Sequence, residues 1–212
     1  MTMIRETGSR DFPLWLLGDS NPKNWANKLE TPLDPRHPAR HSIWTSILDV
    51  IQDRVYRQSR LRVDTSNLFV RNAIGEPDNK PKGNETSWPD PVLQELQYYQ
   101  TAIIESRPIF VFCFGAFAYE FARRAIGEAS HHSHGYWGSK RLGEDFRKRV
   151  AGFHPGQTNI IPLLHVSIAR GKFIESHEYF CNKKGANYFE YVGMQIADLL
   201  LKHQDRLRIW IV

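Results

Sequence analysis

Short polar side chains follow several apolar runs of the sequence, and their types suit acid–base chemistry on a small molecule. Asp19 and Asn21 come after a run that ends at Gly18, while Asn72 and His165 stand at the ends of two later runs. An aspartate can orient and deprotonate a water molecule, whereas an asparagine orients water but is a poor base. The asparagine amide also offers a donor and an acceptor at once. These residue types together predict a small-molecule site.

The elements that must position these residues are short apolar runs of strand length that alternate with amphipathic stretches. Predicted strands occupy residues 12–17, 66–74, 109–114 and 158–164, with a last strand or a tail at 208–212. Predicted helices occupy residues 41–56, 91–106, 116–125 and 186–203, and predicted loops occupy 21–39, 75–91 and 127–143. Fully apolar strands that alternate with helices indicate a parallel sheet covered on both faces, which binds ligands at the carboxyl ends of its strands. We therefore expect an α/β fold, a three-layer α/β/α sandwich with a central, mainly parallel sheet of four or five strands.

Length and composition narrow the class of protein. The 212 residues fit a single domain over residues 1–212, and no apolar run approaches the roughly 18 residues that a membrane span needs. The first residues contain no apolar stretch of signal-peptide length. Two cysteines, Cys113 and Cys181, rule out a disulfide scaffold and a four-cysteine zinc or iron–sulfur site. Lone thiols fit a reducing cytoplasm, so we expect a cytoplasmic protein. Because no apolar run is long enough for a membrane span, we expect no membrane partner.

The charge balance leaves two interpretations open. Lys and Arg exceed Asp and Glu by 28 to 23, which gives a net charge of +5. This excess is compatible with a polyanionic partner such as nucleic acid, and equally with an ordinary basic protein. The sequence contains neither GxxxxGK[ST] nor GxGxxG, which argues against an NTPase or a dinucleotide-dependent enzyme.

Five features follow one another along the chain. A first strand ends in a Gly…Asn-Pro turn (LLGDSNP), and Trp44 lies near the start of the next helix (HSIW). A second strand ends in Asn72 (LFVRNA) and precedes a Pro-rich loop and a helix. A third strand runs into Gly115 (IFVFCFG). A fourth ends in His-x-Ser (LLHVS), followed by an Arg/Gly/Phe segment and a final helix with Asn187. In this order, the five features resemble the uracil-DNA glycosylase superfamily. The resemblance covers residues 12–203 and depends on order and spacing rather than on one motif.

The resemblance implies a DNA glycosylase that flips uracil or a related deaminated base and hydrolyses its N-glycosidic bond, without a metal or other cofactor. His165 would hydrogen-bond the base oxygen on which negative charge grows. The residue that positions the attacking water is Asn21 if the family's Asn-Pro form matches, and Asp19 if its Gly-acid form matches. Both alignments stay open.

The resemblance also implies contacts to the base and to DNA. Asn72 resembles the asparagine that reads the Watson–Crick edge of the base, and Trp25 is the nearest aromatic residue that could stack on it. Ser167 and Arg170 would contact DNA phosphate, or Arg170 could fill the gap that the flipped base leaves. The expected partner is therefore single- or double-stranded DNA, and the expected oligomeric state is a monomer.

The chain differs from the family pattern at three places. Its second motif reads HVSIAR and lacks the prolines that stiffen the loop which pinches the DNA backbone. Ala169 stands where the best-known members carry a bulky leucine. The first motif has one additional residue between Gly18 and Pro22.

Two alternative functions fit parts of the sequence. Gly18-Asp19-Ser20 after an N-terminal strand is similar to the nucleophile block of GDS/SGNH esterases, in which Ser20 would be the nucleophile. Its nearest acid–base partners are Asp198 and His203, which are five residues apart, and Asn159 resembles that family's oxyanion block. The other alternative is a catalytically inactive, nucleic-acid-binding member of the glycosylase fold.

One histidine cluster could suggest a metal site. His131, His132 and His134 lack zincin and zinc-finger spacing, and no cysteine lies beside them. We interpret the cluster as part of a flexible loop, and we expect no metal.

Overall fold

The computed structural model describes residues 6–20, 39–129, 131–171 and 174–211, except for the side chains of residues 39–43. The strands are β1 (Glu6–Thr7), β2 (Leu14–Gly18), β3 (Arg62–Val63), β4 (Phe69–Asn72), β5 (Phe110–Phe114), β6 (Asn159–Leu163) and β7 (Trp210–Ile211). The helices are α1 (Ala39–Ser59), α2 (Asp90–Ser106), α3 (Ala116–Ala125), α4 (Ser139–Ala151), α5 (Val166–Ala169), α6 (Ile174–Cys181) and α7 (Tyr188–Lys202). Short 3-10 helices lie at Pro77–Asn79, His134–Tyr136 and Gln204–Arg206.

The central sheet has five strands in the order β1-β4-β2-β5-β6. Strands β4, β2, β5 and β6 are parallel, and β1 pairs antiparallel with β4 at the edge. These strands are nearly all apolar because a parallel sheet is buried on both faces. The prediction of an α/β fold with a mainly parallel sheet is confirmed. For residues 208–212 the sequence left a last strand or a tail open, and the structure shows a two-residue strand, β7, which pairs with β3 in a separate two-stranded sheet.

Helices pack on both faces of the sheet. Trp44 of α1 contacts Phe112 of β5, with ring centroids 5.8 Å apart. Trp15 of β2 contacts Tyr99 of α2, with ring centroids 5.9 Å apart. Because Trp15 pairs with Val111, the neighbour of Phe112, these two contacts lie on opposite faces. The arrangement is compatible with a three-layer sandwich, and Trp44 belongs to the core, as its position on the apolar face of the predicted helix indicates.

One predicted loop is too long. Residues 139–143 were expected in the loop 127–143, but they form the start of α4. Gly143 indicates a loop by its type, yet it lies inside the helix because α4 passes very close to α6. A Cβ at this position would come 2.0 Å from the carbonyl oxygen of Phe180. The glycine therefore serves close packing, which the sequence alone does not distinguish from a turn.

Candidate active site

The carboxyl ends of the parallel strands bring the predicted polar residues to one edge of the sheet. Gly18, the last residue of β2, is paired with Asn72, the last residue of β4. Phe114 at the end of β5 is paired with Leu163, two residues before His165. Asp19 follows Gly18 directly, and its carboxylate is close enough to act on the pKa of His165. The edge therefore carries a carboxylate, an amide and an imidazole, as the sequence predicts.

His165 caps the amino end of α5, and this role fixes its tautomer. The backbone N–H of Ser167 donates to Nδ1 of His165 over 3.3 Å, and the Ser167 hydroxyl lies 2.8 Å from the same atom. Because a backbone N–H can only donate, Nδ1 is an acceptor here. The neutral imidazole therefore carries its proton on Nε2, which makes Nε2–H the donor that the ring can offer.

Hydrogen bonds from two other helices hold the segment that carries His165. The N–H of Leu164 donates to Oη of Tyr188, the first residue of α7, over 2.9 Å. Nδ1 of His177 in α6 accepts from the N–H of Tyr188 over 3.3 Å, so its Nε2 donates to the carbonyl of Ala169 over 2.7 Å. The segment is thus attached just before His165 and at the end of α5, which restricts where the imidazole can lie.

Asp19 forms an ion pair with Lys80, which lies in the long loop between β4 and α2. Oδ2 of Asp19 accepts a hydrogen bond from Nζ of Lys80. The Asp19 side chain is 12% exposed, and Oδ1 has no hydrogen-bond partner among the residues that the structure describes. The ammonium also lies 5.3 Å from the ring centroid of Phe117 in α3. A buried acceptor with spare capacity is suited to binding a water molecule or a ligand donor.

Burial and nearby charges keep the two histidines of this region neutral. Burial is the main reason that the pKa of His165 is lowered below its usual 6.5, the Asp19 carboxylate opposes this shift, and the Lys80 ammonium adds to it. Burial likewise lowers the pKa of His134, with a further contribution from Lys80 that Asp19, Glu120 and Glu85 oppose. His165 therefore acts as a neutral Nε2–H donor near pH 7, rather than as a cation.

Two glycines leave room for the site side chains. A Cβ on Gly18 would lie 2.2 Å from Oδ1 of Asn72, so the Asn72 amide packs directly over the glycine. Gly115 has φ of +101°, and a Cβ there would lie 2.9 Å from Cβ of His165. Gly115 is therefore required for its space and its backbone conformation, whereas Gly18 is required only for the Asn72 amide to keep this position.

His134 joins this region through the contact between two loops. The N–H of Gly135 donates to the carbonyl of Gly83 over 2.7 Å, and the His134 ring lies edge-on to Phe117 with centroids 5.5 Å apart. Nδ1 of His134 is buried without a hydrogen-bond partner among the described residues. Sequence reasoning considered His134 only as part of a possible metal cluster, and it missed Lys80 altogether. The signal for Lys80 was the length of the loop 75–91, because long loops in compact domains are usually functional or disordered.

The interpretation of the HHSH segment as a flexible loop needs correction, because a buried carboxylate anchors it. Glu120 of α3 is fully buried, and its oxygens accept from the N–H of His132 over 2.8 Å and from Nε1 of Trp137 over 2.8 Å. Arg123 and Arg124 pair with the same carboxylate over 2.9 and 3.1 Å. The four donors offset the cost of burying its charge and fix the loop that presents His134.

Of the four remaining predicted site residues, two lie outside the described part of the chain and two lie on the surface. Asn21 and Trp25 lie outside the described residues. Ser167 is exposed and contacts the His165 ring. Arg170 is exposed, donates to Oγ of Ser46 in α1, and lies over the ring of Phe189 at 5.5 Å.

The esterase constellation is not assembled. Ser20 lies just beyond the carboxyl end of β2. His203 packs against Phe153, which stacks on Phe110, the first residue of β5, so this histidine lies at the opposite edge of the parallel sheet. Asn159 begins β6 and belongs to that opposite edge as well. Ser20 is therefore separated from His203 and Asn159 by the length of the strands.

Comparisons with known proteins add no family assignment: no protein-family model matches the chain, and no curated protein matches it significantly. Within the described ranges, no three His, Cys, Asp or Glu side chains form a group that could hold a metal ion. The helices described also include none that is long and apolar enough to span a lipid bilayer.

Proposed function

We propose that the chain is a DNA glycosylase with a uracil-DNA glycosylase-like fold, which removes uracil or a related deaminated base by hydrolysis. The observation that carries the proposal is the pairing of two groups at one sheet edge. His165 offers a fixed, neutral Nε2–H donor, and Asp19 offers a carboxylate oxygen without a partner among the described residues. Hydrolysis of an N-glycosidic bond needs both a donor for the departing base and an acceptor for the attacking water.

The chemistry follows from the charges that develop. As the bond between C1′ and the base nitrogen breaks, its electron pair moves to the base and positive charge grows on the sugar. Nε2–H of His165 hydrogen-bonds the base oxygen that gains the negative charge. Asp19 orients a water molecule towards C1′ and accepts its proton, and its negative charge favours the cationic sugar. Asn21 remains the alternative for holding the water.

The other residues serve recognition in this proposal. The Asn72 amide reads the edge of the flipped base, and Trp25 stacks on its face. Ser167 and Arg170 contact the DNA backbone, and the net charge of +5 favours DNA binding that weakens with salt. The order of the elements from β2 to α7 supports the fold assignment, since the predicted sequence of strand ends recurs at one sheet edge. The proposed enzyme is a monomer without a metal or cofactor.

The test is base release from a labelled oligonucleotide that contains one uracil, as a single strand and as a duplex, followed by alkaline cleavage. We expect activity in the wild type and a fall in kcat of about 100-fold or more in His165→Ala, because one oxyanion donor contributes roughly that much. DNA affinity should change by less than about threefold, since the bond strengthens only in the transition state. Asp19→Asn and Asn21→Ala should differ, and the more damaging change identifies the water-positioning residue.

His154→Ala is the matched control, because His154 is exposed and precedes β6 at the opposite sheet edge. Its activity should equal that of the wild type. No release of uracil would lead to a panel of other deaminated bases. Salt-dependent DNA binding without release of any base would overturn the enzymatic proposal in favour of the binding module. Labelling of Ser20 by a fluorophosphonate probe would favour the esterase.

A further inference from the structure

The amine of Lys80 lies where a glycosylase would leave a reactive aldehyde. Nζ of Lys80 touches the same carboxylate, Asp19, to which the proposed function assigns the water that attacks C1′. After base loss, the sugar exists partly as an open-chain aldehyde at C1′. A primary amine beside an aldehyde forms a Schiff base, which is the usual covalent chemistry of lysine.

Contacts on two sides hold the ammonium group of Lys80 in place. Its ammonium contacts Asp19 on one side and lies 5.3 Å from the Phe117 ring centroid on the other. The side chain is nevertheless 32% exposed, so it remains accessible to a bound DNA strand. Lys82, two residues further along the same loop, is exposed, and its backbone N–H bonds the side chain of Glu85. The two lysines differ in their relation to Asp19.

We propose that Lys80 gives the chain a second activity, that of an abasic-site lyase, which cleaves the DNA strand after the base has left. This inference rests on the proposed function for the location of the sugar. Asp19 takes a proton from the Lys80 ammonium, and the free amine adds to C1′ of the aldehyde. Asp19 then returns the proton to the departing hydroxyl, which leaves as water, and a cationic imine joins Nζ to C1′.

Strand cleavage follows by elimination. The Asp19 carboxylate removes a proton from C2′, and the electron pair expels the 3′ phosphate oxygen from C3′. The phosphate leaves as the 5′ phosphate of the downstream strand, and an unsaturated sugar stays bound to Lys80. Water then hydrolyses the cationic imine, which releases the unsaturated aldehyde and restores the Lys80 ammonium, and Asp19 passes the C2′ proton to solvent. These reaction steps release one water molecule when the imine forms and use one when the imine is hydrolysed. They need no oxidant or reductant.

The experiment uses the full chain and an oligonucleotide with a preformed abasic site, so that base excision is bypassed. Sodium borohydride reduces the imine to a stable amine, and the covalent protein–DNA product is measured on a denaturing gel and mapped by peptide mass. We expect trapping at position 80 in the wild type. Lys80→Gln and Lys80→Arg should each lower the trapped product by at least about tenfold, because neither side chain supplies a primary amine. Lys82→Gln should stay within about twofold of the wild type.

The two substitutions at position 80 separate chemistry from folding, since Lys80→Arg keeps the positive charge beside Asp19. Full trapping in either variant, or no trapping in the wild type, would overturn the proposal. Uracil release without trapping would support the proposed glycosylase activity and reject the proposed lyase activity. Trapping at Lys80 without release of uracil or of any other deaminated base in the panel would support the lyase and reject the proposed base excision.

Discussion

The side-chain oxygen of Asn72 lies over the α-carbon of Gly18, so closely that a Cβ on residue 18 would come 2.2 Å from Oδ1. The two residues are register partners at the ends of adjacent strands. The Asn72 amide can therefore occupy this position only because residue 18 has no side chain.

Gly18→Ala should displace the Asn72 side chain, because the added Cβ would collide with Oδ1 while the nearest backbone atom, the carbonyl oxygen of Arg71, lies 3.9 Å away. We expect the free energy of unfolding to fall by no more than about 1 kcal/mol, the low end of overpacking costs, because the displaced amide is the end of a movable side chain, and we expect weaker substrate binding. Urea denaturation and the KM for the labelled oligonucleotide measure the two effects. Gly138→Ala is the control, because no atom lies within 4 Å of a Cβ built there. Equal behaviour of the two variants would contradict the packing argument.

The pKa of His165 should respond in opposite directions to changes in the Asp19–Lys80 pair. Lys80→Gln removes a charge that lowers this pKa and should raise it, whereas Asp19→Asn removes a charge that raises it and should lower it. Titration of the ring carbon-bound protons by NMR measures both. The pKa of His203 should not change, because its lowering comes from burial, Lys202, Arg206 and His154 at the other sheet edge. Shifts of the same sign for His165 would refute the arrangement.

Because the fold keeps His165 and His134 neutral, the free energy of unfolding should fall in mild acid. The pKa of His165 and that of His134 are lowered in the folded state, so below about pH 6.5 the unfolded chain takes up protons first. Stability from this source is complete above that pH and is lost as the pH falls towards the lowered values. Chemical denaturation at pH 7.5, 6.5 and 5.5 should show a shallower decline for His134→Asn than for the wild type. Parallel curves would show that His134 is not held neutral by the fold.

Glu120 should be essential for stability although it takes no part in the proposed reaction. Glu120→Gln removes the charge that four donors share and leaves Arg123 and Arg124 without their buried carboxylate. We expect a loss of about 3–5 kcal/mol, as for other broken buried ion pairs. Glu144→Gln, on the exposed face of α4, is the matched control and should change stability little. A Glu120→Gln variant as stable as this control would show that the loop does not depend on the network.

The sequence predicted the strands and the sheet edge well because these depend on local signals. The predicted helix 116–125 coincides with α3, and the apolar runs that end near Gly18, Asn72 and His165 became parallel strands. Lys80 could not be predicted in the same way. Its place beside Asp19 depends on how a loop of little periodicity folds back, and that path is set by distant contacts such as the hydrogen bond from Gly135 to Gly83.

The parallel pairing of the strands affects when Asp19 and His165 come together during folding. Parallel strands cannot form from a tight hairpin, and β2, β5 and β6 are brought together only across long stretches of sequence. We therefore expect Asp19 and His165 to become neighbours only after the long-range pairing of these strands has formed. A partly folded chain would have the carboxylate and the imidazole far apart. If the proposed glycosylase activity depends on both groups, it should be the last signal to return on refolding.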